Sequence, residues 1–163
     1  MYDFRFILKR SMPKQLTTRK TIMVLKLAVS ECMRTSLVTF KPDTPILEAM
    51  DKFIEYGISG GPVLNDKKEV IGVISESDAL KAVLKMAYHE QEMAYVVKDF
   101  MTRDVDVIHE DDNLIDVASK FIYMGRRRFP VINDDQVLVG QVSRRDILEK
   151  VRAFRQQAPR KVS

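Results

Sequence analysis

The sequence predicts an α/β (α+β) fold in which two tandem β-α-β-β-α motifs pack as a pseudo-two-fold pair. Three observations support this prediction. The chain repeats itself at an offset of 68 residues, both copies carry strand and helix signals in the same order, and turn-forming Gly, Pro and Asn residues fall at equivalent places. Because solenoids stack many shorter units, two copies of this length indicate a pair of similar subdomains.

The internal duplication is the clearest feature of the sequence. Alignment of Glu31–Leu80 with Asp99–Leu148 gives 14 identities in 50 positions without a gap. Random pairing at ordinary composition gives only about three. The duplication predicts four segments, which are an N-terminal extension (residues 1–27), a first motif (28–94), a second motif (95–152) and a C-terminal tail (153–163).

The first copy begins with a strand and a helix. Leu37–Phe40 is a predicted strand, after which Thr44 and Pro45 supply an N-cap and a first helical residue. The helix ends at Gly57, which predicts a left-handed cap. Its apolar positions recur at helical spacing and predict one buried face, formed by Ile46, Ala49, Met50, Phe53 and Ile54.

A hairpin and a second helix complete the first copy. Pro62–Leu64 and Val70–Ile74 are predicted strands joined by the turn Asn65–Lys68. Ser75 then begins a helix that runs to about His89. Its predicted apolar face consists of Leu80, Val83, Leu84 and Ala87.

The second copy repeats this order, and a similar lead-in turn precedes each copy, at Val29–Met33 and Val97–Met101. The other predicted elements of the second copy are the strand Val105–Ile108, the helix Leu114–Met124 with Gly125 as its cap, the paired strands Phe129–Ile132 and Val137–Val142, and the helix Arg144–Phe154.

Composition excludes several protein classes. With 45% hydrophobic and 31% charged residues, the chain can build one or two cores and is neither a membrane protein nor disordered. No apolar run approaches the ~20 residues of a membrane span and no signal-peptide pattern is present, so we predict a cytoplasmic protein. Cys32 is the only cysteine, and His89 and His109 lack partners at metal-ligand spacing.

Basic residues at both ends of the chain give a net charge of +4 and a pI near 9.2. One interpretation is contact with nucleic acid or anionic lipid, and the other is solvated, flexible ends. No helix-turn-helix, zinc-finger or RNP-like pattern accompanies the charge. We therefore favour solvated ends and predict neither a nucleic-acid nor a membrane partner.

Each copy carries the same compound motif, which is Gly-x-x-x-x-Pro-Val, then a glycine in the last strand, then Ser-x-x-Asp. It occurs at Gly57–Val63 with Gly72–Asp78, and again at Gly125–Val131 with Gly140–Asp146. Each part of the motif alone is a weak signal. The occurrence of both parts in both copies, at the same spacing, is specific for a family. The pattern resembles the CBS (cystathionine-β-synthase-type) domain family over about residues 28–152.

The resemblance implies a binding and regulatory protein rather than an enzyme. In this family two motifs pack through their sheets, and the cleft between them holds up to two adenosine-type ligands, commonly AMP, ADP, ATP or S-adenosylmethionine. Two such pairs often form a flat homodimer, and the ligand changes the state of an attached or associated protein. No cofactor is required, and the sequence contains no Gly-rich phosphate loop or nucleophile elbow.

The resemblance also implies that the aspartates of the two Ser-x-x-Asp motifs, Asp78 and Asp146, accept hydrogen bonds from ribose hydroxyls. An ionised carboxylate suits a vicinal diol because it accepts from both hydroxyls. The same pattern is a capping box, in which Ser75 and Ser143 begin helices whose N-termini favour phosphate. The two roles can coexist.

Arg126–Arg128 is the sharpest difference between the copies, and its last two residues align with a basic pair that the family directs at phosphates. Arginine binds phosphate through a bidentate fork. The alternative is a solvated run that pairs with Asp134 and Asp135. We expect one strong phosphate site and one that lacks these arginines, where Arg145 partly compensates. The strong site comprises Ser75, Ser77, Asp78, Arg127 and Arg128, and the other comprises Ile58, Ser59, Gly60, Ser143, Arg145 and Asp146.

An adenine ring needs an apolar slot, and each candidate for it suits an ordinary core position equally well. Thr35 and Thr102 lie near the lead-in turns, where the family often uses a hydroxyl, but they sit one register apart in the two copies. The candidates for the slot are Val38, Ile58, Pro62, Val107 and Pro130.

Three functions compete at this point. The leading hypothesis is a regulatory module that binds an adenine nucleotide or adenosyl ligand. The second is a ligand-free CBS pair that serves as a dimerisation or interaction scaffold for an unidentified regulated protein. The third is a nucleic-acid binder that uses the basic ends, which predicts an affinity that falls steeply with salt.

Overall fold

The structure, a computed structural model, describes residues 27–88 and 94–156. The first 26 residues of the predicted extension, His89 and residues 157–163 of the tail lie outside the described residues. The described chain confirms the mixed α+β fold class, with two similar halves that follow one another along the sequence.

The first half contains two helices and one hairpin. Helix α1 spans Ile46–Glu55, strands β1 and β2 span Gly60–Leu64 and Val70–Ser75, and helix α2 spans Glu76–Tyr88. The strands pair antiparallel, with Gly60 opposite Ser75, and thereby confirm the predicted hairpin.

The second half repeats this order with one added strand. Strand β3 spans Ile108–His109, helix α3 spans Leu114–Tyr123, strands β4 and β5 span Arg128–Ile132 and Leu138–Ser143, and helix α4 spans Arg144–Gln156. Strand β3 pairs parallel to β4, which pairs antiparallel to β5.

The first strand of each copy is shorter than predicted. Leu37–Phe40 is not a strand, because only Phe40 forms a bridge, through backbone hydrogen bonds with Pro62 and Leu64. In the second copy the predicted strand Val105–Ile108 is reduced to β3. The residues Leu37 to Thr39 instead line a cavity.

Helix α1 does not begin as predicted. The Thr44 side chain accepts a hydrogen bond from the Lys41 amide rather than capping the helix, and the N-cap residue is Pro45. The Ile46 amide donates to the Tyr95 carbonyl at 3.0 Å. The other half of the molecule therefore satisfies a backbone donor at this helix end. The left-handed residues that follow α1 and α3 are confirmed, with φ of 60° at Gly57 and 64° at Gly125.

The lead-in turns form short 3-10 helices, and each packs into the core of the opposite half. The amide of Val29 donates to the Asp112 carbonyl at 3.0 Å, and the amide of Val97 donates to the Thr44 carbonyl at 2.9 Å. Both valines are fully buried. Val29 lies in the core of the second half, with Phe121 and its neighbours, and Val97 lies in the core of the first. The two halves are therefore interlocked.

The interlock explains the glycine in the last strand of each motif. A Cβ atom on Gly72 would lie 2.7 Å from the Met101 sulfur, and one on Gly140 would lie 2.5 Å from the Met33 sulfur. Each methionine belongs to the lead-in of the opposite half. Any larger residue would force the methionine side chain to shift, so glycine suits this close crossing.

Two predicted apolar faces are partly wrong. Leu80, Val83 and Leu84 of α2 are 63%, 44% and 58% exposed, Ala87 is exposed, and Ile54 of α1 is 82% exposed. The buried side of α2 carries small residues instead, namely Ala79 and Ala82. Small side chains let the helix approach the sheet closely, and the larger aliphatic residues are left on the outer face.

Candidate functional site

Arg127 and Arg128 line two cavities. The larger cavity has a volume of about 990 Å³ and the smaller cavity one of about 530 Å³. Gly60, Gln141 and the two arginines line both. The two arginines therefore contribute positive charge to both cavities.

The larger cavity is basic, with apolar wall segments. Among the residues that the structure describes, six cationic side chains and one acid, Asp146, line it. The cations are Arg34, Lys52, Arg127, Arg128, Arg144 and Arg145. The structure brings eight of the predicted site residues to this cavity, which are Val38, Ile58, Gly60, Arg127, Arg128, Ser143, Arg145 and Asp146.

Asp146 is held firmly at the start of α4, where it is only 6% exposed. Its Oδ2 atom accepts hydrogen bonds from the amide and the hydroxyl of Ser143, and its Oδ1 atom accepts from Arg34 Nε at 2.7 Å. The capping interpretation of Ser-x-x-Asp is thus confirmed here. Burial alone would raise the pKa of Asp146, but the hydrogen bonds from Ser143 and Arg34 outweigh it, so the pKa lies below its ordinary value.

The equivalent Asp78 is buried at the start of α2 with a similar network. Its Oδ2 accepts from the amide and the hydroxyl of Ser75, at 3.1 and 2.6 Å, and its Oδ1 accepts from Lys81 Nζ at 2.8 Å. Asp78 is not among the residues that line the smaller cavity, although Ser75 and Ser77 are. In this arrangement Asp78 acts as a helix cap.

The smaller cavity collects the rest of the predicted phosphate site. Its one acidic lining residue is Glu76, set against the two shared arginines. The predicted residues that line it are Ser59, Gly60, Ser75, Ser77, Arg127, Arg128 and Pro130.

The predicted difference between the two sites is wrong. We expected the site around Asp146 to lack Arg127 and Arg128, but both line its cavity. Arg127, which precedes β4, and Arg128, its first residue, line both cavities, so the two sites share the same pair of arginines. Of the remaining candidates, Pro62 is buried within β1, and neither Pro62, Val107 nor Thr35 lines either cavity.

The arginine run divides into two parts. Arg126 Nε pairs with Asp106 at 2.8 Å, outside both cavities. Within the part of the chain that the structure describes, Arg127 and Arg128 form no ion pair, with Asp134 and Asp135 or with any other acid. The predicted alternative of pairing with those aspartates is therefore not realised.

Sequence reasoning missed Arg34, the residue that meets Asp146. Arg34 exchanges two backbone hydrogen bonds of 2.9 Å with Gln141, just as Thr102 does with Val73 in the other half. A signal was available, because Arg34 aligns with Thr102 at the 68-residue offset and the two side chains differ in charge. Lys52, Tyr56, Gln141 and Arg144 were also missed as lining residues.

Among residues 27–88 and 94–156 there is no group of three or more His, Cys, Asp or Glu side chains that could hold a metal ion. Within the same ranges no helix is long and apolar enough to span a bilayer.

Cys32 is half-buried, and burial, followed by the charge of Asp146, raises the pKa of its thiol to about 11.

Comparison with known families agrees with the geometry. The family model described as "CBS domain" matches the chain twice, at residues 29–85 and 97–153. Among curated relatives, the uncharacterized protein MJ1225 of Methanocaldococcus jannaschii is 30% identical over 131 residues, which are 80% of this chain and 45% of the relative. The inosine-5'-monophosphate dehydrogenase of the same organism is 32% identical over 115 residues, 70% of this chain and 21% of the enzyme. This chain therefore spans less than half of either relative.

Solved structures match nearly over their whole length. The CBS-pair protein CBSX2 from Arabidopsis thaliana, in complex with AMP, superimposes with a TM-score of 0.69 at 27% identity, covering 78% of this chain and 98% of that one. The CBS domain pair of MJ0100, in complex with 5'-methylthioadenosine and S-adenosyl-L-methionine, gives a TM-score of 0.64 at 25% identity, covering 77% and 99%. Two motif matches, the interlocked halves and these superpositions lead to one conclusion: the chain belongs to the CBS-domain family, as a tandem pair of CBS motifs.

Proposed function

We propose that this chain is a regulatory module that binds adenine nucleotides or related adenosyl ligands in the cavities between its two CBS motifs. One observation carries the proposal. A cavity of about 990 Å³ combines a buried carboxylate, aliphatic wall residues and two arginines that form no ion pair with any residue in 27–88 and 94–156. These groups match the three parts of a nucleotide, and the relatives CBSX2 and MJ0100 are described with adenosyl ligands bound.

Each part of the ligand has a counterpart in the larger cavity. Val38 and Ile58 offer apolar surface for the adenine ring, and Asp146 offers a carboxylate for the ribose hydroxyls. Arg127 and Arg128 offer bidentate donors for phosphate. These roles are proposed from the lining and the chemistry of the side chains.

The charge of the cavities favours AMP, ADP or ATP over S-adenosylmethionine. Six cations and one acid line the larger cavity, and two arginines and Glu76 line the smaller one. A sulfonium ligand would place another positive charge among these groups, whereas phosphates neutralise them. No cofactor is required for this role.

We assign no catalytic residue. The inosine-5'-monophosphate dehydrogenase that this chain resembles shares only 21% of its length with the matched region, so its activity does not transfer to this chain. The output we propose is a change in the state of a regulated protein partner. We place the protein in the cytoplasm, where a half-buried, unpaired Cys32 stays reduced.

Homodimerisation is a further part of the proposal, and it also supports the scaffold role as the second candidate function. The helices expose large apolar residues at duplicated positions, with Ile54 matched by Ile122 and Leu80 by Leu148. A surface with internal two-fold symmetry suits an isologous interface with a second copy of the chain.

The first experiment is thermal unfolding with AMP, ADP, ATP or S-adenosylmethionine at millimolar concentration, on protein freed of bound nucleotide. Ligand at 100 times its Kd adds about 2.7 kcal/mol, which is a shift of several degrees. We expect a shift with a nucleotide that is lost in the double variant Arg127→Ala with Arg128→Ala.

The matched control removes two charges outside both cavities, through Arg103→Ala with Arg126→Ala, and should retain the shift. Absence of a shift with every ligand would reject nucleotide binding and leave the scaffold role. An equal loss in the control would mean that net charge, rather than the cavity arginines, governs binding.

A further inference from the structure

The Arg34–Asp146 pair distinguishes the larger cavity from its duplicated counterpart. Arg34 Nε contacts Asp146 Oδ1 at 2.7 Å, and the arginine side chain is 63% exposed while the carboxylate is 6% exposed. In the other half the equivalent position is Thr102, and Asp78 is met by Lys81 of its own helix. Of the two carboxylates, only that of Asp146 is therefore paired with a long side chain from the other half, the arginine that follows the lead-in Val29–Met33.

This pair changes what the larger cavity can bind. Both oxygens of Asp146 are already engaged, Oδ2 by Ser143 and Oδ1 by Arg34. A ribose diol must share or displace Arg34 to reach Oδ1. A neutral nucleoside therefore exchanges a charge-assisted hydrogen bond for neutral donors and gains little.

For a phosphorylated ligand, the charges of the side chains that line the larger cavity decide the affinity. Arg34 neutralises Asp146, so the net charge of the lining is strongly positive. Lys52 and Arg145 have partners of their own in Glu48 and Glu149. Arg127 and Arg128 form no ion pair within the described ranges. Arg34 is 63% exposed, and its Nη2 also lies 3.7 Å from Glu149 Oε2, so it can turn between two anions. A first phosphate therefore meets Arg127 and Arg128, and a further phosphate competes with the carboxylates for Arg34.

The smaller cavity lacks this arrangement. Glu76 opposes the two shared arginines there, and Arg34 is absent from its lining. The two cavities therefore differ in charge. The difference comes mainly from the additional cations that line the larger cavity.

We infer that the larger cavity is a site for a nucleoside di- or triphosphate, and that Arg34 is its specificity-determining residue. Arg34 competes with the ribose for Asp146 and supplies a cation for the distal phosphates. The inference rests on the proposed nucleotide-binding function and names the ligand class of that site.

The test compares wild type with Arg34→Thr, which installs the residue found at the equivalent position of the second copy. Calorimetric titration with adenosine, AMP, ADP and ATP at constant ionic strength gives the affinity of each. Wild type should bind more tightly with each added phosphate. In Arg34→Thr the ratio of ATP affinity to adenosine affinity should fall by about tenfold, since one charge-assisted contact is removed.

Two further variants sharpen the result. Arg103→Thr makes the same charge change at an exposed residue that lines neither cavity, and should leave the ratio at its wild-type value. Arg34→Gln keeps a hydrogen-bond donor for Asp146 without the charge, and should lower the ratio as Arg34→Thr does. It also covers the case in which the threonine variant does not fold.

The outcomes separate the two ideas. If nucleotides bind but the ratio is the same in wild type and both Arg34 variants, the role of Arg34 is wrong while the proposed function stands. If Arg103→Thr lowers the ratio equally, general electrostatics explains the preference and the inference is overturned. If wild type and every variant bind no nucleotide, the proposed function fails and the inference with it.

Discussion

At the residue scale, the two Ser-x-x-Asp motifs use the same atoms in the same way but differ in the cation that meets the carboxylate. Ser75 and Ser143 each donate an amide and a hydroxyl to one oxygen of the following aspartate. The other oxygen pairs with a lysine of its own helix in one half and with Arg34, far away in sequence, in the other. The local contacts of both networks are readable from sequence, whereas the contact of Arg34 with Asp146 is not.

Asp146 should make the stability of the protein depend on pH. Folding lowers the pKa of this carboxyl, so its ionised form stabilises the folded state. That contribution is fully present above the unfolded pKa, about 3.9, and is lost as the pH falls through the folded value. We expect Asp146→Ala to cost about 1–2 kcal/mol at pH 7, the usual cost of a lost cap, and less at pH 3.

Urea unfolding of wild type and Asp146→Ala at pH 7 and pH 3 measures this difference. Asp106→Ala is the control, because its partner Arg126 is half exposed and exposed pairs contribute only about 0–1 kcal/mol. A cost of Asp146→Ala that is the same at both pH values would contradict the assigned role of the ionised form.

At the element scale, the positions of the hairpins and helices agree closely with those predicted from the sequence. The first strand and the buried faces of the helices do not. The hairpins are local, since their turns lie at Asn65–Lys68 and its repeat. The strand predicted at Leu37–Phe40 needs a partner from a distant segment and keeps only the bridge at Phe40. Amphipathic spacing also misplaced Leu80, because α2 packs through its alanines and leaves the larger residue outside.

The crossing of each lead-in over the last strand predicts a strong sensitivity at Gly140. A methyl group there would lie 2.5 Å from the Met33 sulfur and 3.1 Å from the Arg34 carbonyl oxygen. We expect Gly140→Ala to destabilise the fold by about 1–3 kcal/mol, as overpacking does. The measurement is chemical denaturation monitored by circular dichroism.

A double-mutant cycle with Met33→Ala tests the cause. Removing the methionine side chain should recover part of the loss, so the double variant should be more stable than the sum of the single effects indicates. Strict additivity would show that Gly140 is needed for a reason other than the approach of Met33.

At the scale of the whole molecule, the interlocked lead-ins make the pair of motifs one unit. Val29 completes the core of the second half and Val97 that of the first, so neither core is built from one motif alone. The same exchange brings Arg34 beside Asp146. A ligand in the larger cavity therefore touches segments from both halves, which suits a module that reports occupancy to a partner.

The exposed apolar positions of the helices predict a dimer in solution. We expect wild type to sediment as a dimer and Leu80→Lys with Leu148→Lys to sediment as a monomer, because two lysines would have to be desolvated in the interface. Analytical ultracentrifugation gives the result. Asp66→Asn with Asp134→Asn makes the same change in net charge at exposed hairpin turns and should remain dimeric. A monomeric wild type would reject the proposed dimer.

The sequence by itself determined the duplication, the fold class, the hairpins and the capped helix starts at Ser75 and Ser143. All of these depend on short-range spacing or on a comparison of the chain with itself. Only the tertiary structure decided that Arg127 and Arg128 line both cavities and that Arg34 meets Asp146. The Arg34–Asp146 contact joins residues 112 apart in the sequence, and its geometry depends on how the lead-in crosses the sheet. The periodicity of one element carries no information about such a crossing.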